Sequence, residues 1–172
     1  FAPAFSEGPG ANQPCSSVEP TSSGGDGERL FLLENNGLYE LPHATERIAA
    51  AVEAARALDF PFTLTARAEN HLRGNPDLDD TIARLQAYES AGADVIYAPR
   101  LVTTDEVRAI SEATTRPQNV LGHRGFTMSE IVEAGGQRVS VGSQLTWVAV
   151  GAVGRAITEI RETRSFRAVP EK

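Results

Sequence analysis

The sequence predicts an α/β domain built on a parallel sheet, and three observations predict it. Short apolar runs near residues 30, 62, 94, 118 and 138 alternate with segments of helical periodicity. The helical segments between them are roughly 10–16 residues long, which suits right-handed crossovers between parallel strands. With 172 residues, 41% hydrophobic and 23% charged, the chain has the composition of one ordinary domain.

The elements follow in order. Residues 1–29 are rich in Pro, Gly and Ser without apolar periodicity, so a flexible low-complexity tail is expected there and a folded portion over 30–172. "LFLLE" (30–34) is a short apolar run ending in a carboxylate before the turn-prone "NNG". In "HATERIAAAVEAARAL" (43–58), Ala44, Ile48, Ala51, Val52, Ala55 and Leu58 recur at three- and four-residue steps, the stripe of a helix. Pro61 precedes the strand "FTLT" (62–65).

Asp77 is placed to cap the next helix, whose Leu78, Ile82, Leu85 and Tyr88 share a face and which closes at Gly92. "ADVIYAP" (93–99) is a strand, and "TTDEVRAISEAT" (103–114) is a helix with a threonine cap and an acidic first turn. A strand over 118–122, a helix over 127–135 and a strand over 137–142 follow, and 143–166 is a long helix rich in small residues. Spacing alone leaves two architectures open, a doubly wound sheet and part of an eight-stranded barrel.

Charge and motifs exclude several functions. A net charge of −7 offers no attraction for nucleic acid or an anionic membrane. No 18-residue apolar run exists. No glycine-rich phosphate motif follows a strand, which argues against a nucleotide site. The single cysteine, Cys15, leaves no internal disulfide and fits a reducing, cytoplasmic setting.

In a (β/α) barrel the chemistry sits at the carboxyl ends of the strands. Those ends carry Glu34, then Arg67 and Glu69, then Tyr97 and Pro99, then Asn119 or Leu121, then Gly142 and Ser143. Arg67 offers a planar, permanently charged fork for a carboxylate or phosphonate. Glu34 is of the type that binds Mg²⁺ directly or through water. The rival reading makes Arg67 and Glu69 a structural ion pair and Glu34 a solvated turn residue. Of the three histidines, His123 is the acid/base candidate because it follows a strand.

The block "FTLTARAENHLRGNPDLDDTIARLQAYESAGADVIYAPRL", continued in "RPQNVL" and "RVSVGSQLTWVAVGAV", resembles the isocitrate lyase and phosphoenolpyruvate mutase superfamily, in its short bacterial branch. The resemblance implies a partial (β/α)8 TIM-type barrel, about strands 4 to 8 with their helices. It further implies Mg²⁺ and a lyase or mutase acting at a C–C or C–P bond of a small 2-oxo or 2-hydroxy acid through a pyruvate enolate. By the same resemblance Arg67 is catalytic and binds the substrate anion, with Asn119, Gly142 and Ser143 also contacting substrate and Glu34 serving the metal. A homo-oligomer through the C-terminal helix is implied as well.

The chain departs from the family pattern by lacking the Asp-x-Asp segment that holds the metal, which points to a chain without the first barrel strands. Two readings therefore stand beside each other: a Mg²⁺-dependent family enzyme, and a catalytically incompetent truncated member or interaction subunit.

Overall fold

The computed structural model describes residues 4–6 and 37–169 and divides into two compact units, Phe1–Ser140 and Val141–Lys172. The first unit contains β1 (Ala4–Ser6), α1 (Leu41–Arg56), β2 (Thr65–Arg67), α2 (Leu78–Ser90), β3 (Val95–Tyr97), α3 (Thr104–Ala113), β4 (Gln118–Leu121), α4 (Met128–Glu133) and β5 (Arg138–Ser140). The second contains α5 (Gln144–Thr163).

All neighbouring strands are parallel, and their order in the sheet is β1-β2-β3-β4-β5. This order decides between the two architectures left open by spacing. A doubly wound sheet reverses its strand order at a switch point, whereas a barrel wall adds each strand beside the last. The unit is a run of barrel wall, a partial TIM-type barrel.

Four of the five expected strands stand where the apolar runs predict them. The fifth, over 30–34, lies outside the described residues. Among the described residues the sheet begins at Ala4–Ser6, inside the stretch read from the sequence as a tail. Ala4 is in register with Thr65 and Ser6 with Arg67. Such pairing needs only the open backbone edge of β2, so apolar periodicity gives no warning of it. β2 also begins later than "FTLT" suggests, because Leu64 N–H donates to the Asp94 carboxylate at 2.8 Å rather than to a neighbouring strand.

Alternation along the strands sorts the two sheet faces. Ala66, Ile96, Val120 and Val139 lie on the helix-covered face and join the hydrophobic core. Helices α1 to α4 cover this face in chain order, each against the next. Their buried anchors are Ala44 and Ile48 of α1, Leu85 and Tyr88 of α2, Val107 and Ile110 of α3 and Ile131 of α4. Each large apolar side chain so buried contributes about 1.5–3 kcal/mol. Leu58, expected on the α1 stripe, lies beyond the end of that helix and is 42% exposed.

The caps hold as predicted. Asp77 accepts from Asp80 N–H at 3.0 Å, and Thr103 with Glu106 forms a full capping box on α3. Gly92 closes the α2 turn with φ +103°, a conformation that a side chain disfavours.

Candidate functional site

The opposite sheet face is where the polar residues gather. Register places Arg67 beside Tyr97, Tyr97 beside Asn119, and Asn119 beside Arg138. These four residues form one rank across β2 to β5, in which Arg67 and Tyr97 are the last residues of their strands, Asn119 is the second of β4 and Arg138 the first of β5. Ser140 stands two residues beyond Arg138 on the same face, next to Leu121.

Arg67 closes β2 because Glu69 receives it. Its Nη2 donates to Glu69 Oε1, and Arg73 Nε donates to Glu69 Oε2 at 2.9 Å. The Glu69 side chain is fully buried, with Arg67 18% and Arg73 28% exposed. The structural ion pair that rivals a binding role for Arg67 therefore exists. It leaves the Arg67 Nε buried without a hydrogen-bond partner, so part of the fork remains uncommitted. Asn70 fastens the same loop to α2 by donating to Asp80 Oδ2 at 2.6 Å, which Arg84 Nε also reaches at 2.7 Å.

Further along the rank, Asn119 Nδ2 donates to Ser140 Oγ at 3.0 Å, while Asn119 Oδ1 is buried and unpartnered. Tyr97 shares a hydrogen bond with Ser140. Burial pushes the Tyr97 phenol above its ordinary pKa, outweighing the Ser140 hydrogen bond and the positive charges of Arg67 and Arg138. Tyr97 is thus a neutral hydroxyl donor at pH 7. Arg138 is half-buried and makes neither a hydrogen bond nor an ion pair through its guanidinium among the described residues.

The rank and the loop after β2 hold three guanidinium groups, of Arg67, Arg73 and Arg138, against two carboxylates, those of Glu69 and of Asp77, which caps α2. On a chain whose net charge is −7 this is a local cationic surface. With a neutral phenol and an amide between the arginines, it can bind an anion and stabilise negative charge developing on an oxygen.

The expected site residues are only partly brought together. Arg67 and Asn119 share the rank. Gly142 (φ +52°) and Ser143, which precedes α5 without a side-chain cap, belong to the other unit. Glu34 lies outside the described residues. No group of three or more His, Cys, Asp or Glu side chains converges among the described residues. Glu69 is neutralised by two guanidiniums, so these residues do not themselves fit a Mg²⁺ site.

His123, the acid/base candidate, has both ring nitrogens engaged within the fold. Its Nδ1 accepts from Gly125 N–H at 3.0 Å, its Nε2 lies 3.1 Å from Leu101 O, and its ring packs on Phe126. Sequence reasoning assigned no role to Tyr97, Arg138 or Ser140. The spacing of two in "RVS" was the available signal, since it puts Arg138 and Ser140 on one strand face.

The family model described as phosphoenolpyruvate phosphomutase matches residues 25–161. The chain belongs to the phosphoenolpyruvate mutase/isocitrate lyase superfamily. Among solved structures of the superfamily, a Burkholderia cenocepacia J2315 protein provisionally assigned as a lyase/mutase is 49% identical with a TM-score of 0.76. The match covers 80% of this chain and 51% of that one. Phosphonopyruvate hydrolase is 28% identical with a TM-score of 0.65, over 78% of this chain and 50% of that one. Oxaloacetate decarboxylase of Bradyrhizobium sp. is 34% identical over 95 residues, 55% of this chain and 32% of that protein. The chain thus spans about half the length of these structural relatives and a third of the decarboxylase. Two of these relatives are named for a small acid, phosphonopyruvate in one and oxaloacetate in the other.

Proposed function

We propose that this chain carries the anion-holding part of a superfamily lyase or mutase site, for a small 2-oxo or 2-hydroxy acid cleaved or rearranged at a C–C or C–P bond. The observation that carries the reading is the rank itself: Arg67 and Tyr97 close β2 and β3 at their carboxyl ends, where barrel enzymes keep their chemistry, and Asn119 and Arg138 stand in register beside them. Arg67 holds the substrate anion through the part of its fork that Glu69 leaves uncommitted. Asn119 orients the acid, and the Tyr97 hydroxyl donates to an oxygen gaining negative charge. Gly142 and Ser143 are assigned to substrate contact by family resemblance.

The superfamily is in general metal-dependent, and Mg²⁺ would supply Lewis-acid stabilisation of an enolate. Glu34 is the proposed contributor to its binding, together with carboxylates that the described residues do not provide. We further assign α5 to self-association, on the support of its exposed Leu145, Trp147, Val148, Val153 and Ile157. No described helix is long and apolar enough to cross a membrane.

Calorimetric titration of the purified chain with oxalate, with Mg²⁺ and with a chelator, tests the reading. Saturable binding that weakens at least about tenfold in Arg67→Ala is expected, the usual effect of losing a hydrogen bond to a charged group. A folded wild-type chain that binds no oxalate favours the alternative, an incompetent family member or interaction subunit.

A further inference from the structure

Arg138 is the charged residue of the rank that the family resemblance leaves without a role. It is the first residue of β5, in register with Asn119 and on the polar face of the sheet. Among the described residues no counter-charge meets this half-buried guanidinium, and a ligand anion would offset the cost of burying it. Its surroundings are prepared for one. The neutral Tyr97 hydroxyl and the Asn119 amide meet at Ser140, two residues along the same strand. No carboxylate of the described residues is bonded to Arg138, in contrast to Arg67 and Arg73, which share Glu69.

Separation along the rank gives Arg138 a task distinct from that of Arg67. Neighbouring strands are about 4.8 Å apart, so the backbones of β2 and β5 are separated by three spacings, about 14 Å. Two long side chains on the same face shorten that gap to the span of a small acid. An acid with one anionic group engages one arginine, and an acid with an anionic group at each end engages both.

We propose that Arg138 is a specificity-determining residue of the anion site, holding the end of the substrate remote from Arg67 and selecting acids with two anionic groups over acids with one. The inference rests on the proposed function, since it needs Arg67 to hold the first anion.

Malate and lactate make a matched pair for the test, because both are 2-hydroxy acids and they differ by one carboxylate. Each is titrated into the full chain in wild-type, Arg138→Gln and Arg138→Lys forms, with circular dichroism confirming the fold of each. In wild type malate binds about tenfold or more tighter than lactate, the effect of one further charge-assisted contact. Arg138→Gln brings the two acids within about threefold by weakening malate alone, and Arg138→Lys recovers part of the difference as a point charge without the fork. An unchanged malate-to-lactate ratio in Arg138→Gln overturns the inference while leaving the anion site intact. A wild-type chain that binds neither acid nor oxalate overturns the proposed function, and this inference with it.

Discussion

Arg67 donates to Glu69 two residues further along the chain, and the carboxylate that receives it is fully buried. One short stretch thus ends a strand, turns the backbone and presents a guanidinium at the sheet edge. Arg73 holds the same carboxylate from the following turn. Replacing Glu69 with Ala leaves two partly buried cations without their shared partner, a loss of about 3 kcal/mol. Urea unfolding of Glu69→Ala checks it, and a change under 1 kcal/mol would show the pair to be a solvated surface contact.

Asp94 gives the stability of the unit a pH dependence. Burial opposes its ionisation, but the Arg56 hydrogen bond, the Leu64 N–H and the charges of Arg56 and Arg116 outweigh burial and hold its pKa below the ordinary value. A carboxylate depressed in the folded state stabilises fully above its unfolded pKa, near 4, and loses that contribution as the pH falls through the folded value. Chemical unfolding followed from about pH 6 to pH 2 is therefore expected to fall less steeply in Asp94→Asn than in wild type. Parallel curves would assign the acid sensitivity to other groups, such as Glu106, whose pKa is also depressed.

The contacts of His123 point to a role in the fold. Its two ring nitrogens are occupied by Gly125 N–H and Leu101 O. His123→Ala is expected to lower stability by about 1–2 kcal/mol while leaving oxalate affinity within about twofold, since the two roles are independent. Loss of binding in a variant of unchanged stability would return His123 to the site.

Gly135 has φ +95°, and a Cβ there would fall against Ser111 Oγ and within 2.7 Å of Ser111 Cβ. Ser111 also donates to Gly135 O at 3.2 Å, so the turn after α4 and helix α3 are locked together. Gly135→Ala combines backbone strain with a steric clash and costs about 2–3 kcal/mol. Thermal unfolding measures it, and a midpoint equal to that of wild type would mean that the turn relaxes freely.

The sequence by itself determined the element order, the helix caps and the apolar stripes, because these depend on residues three or four positions apart. Asp77, Thr103 and Gly92 act where local chemistry says they must. It also contained the family block around Arg67. What only the tertiary structure decided was which residues meet across strands. The sequential strand order, the alignment of Arg67, Tyr97, Asn119 and Arg138 in one rank, and the capture of both His123 nitrogens arise from pairings between segments tens of residues apart. Register sets those pairings, and a slip of one residue would turn every side chain of a strand to the other face. The strand at Ala4–Ser6 makes the same point, since backbone hydrogen bonds to an open edge require no pattern in the side chains.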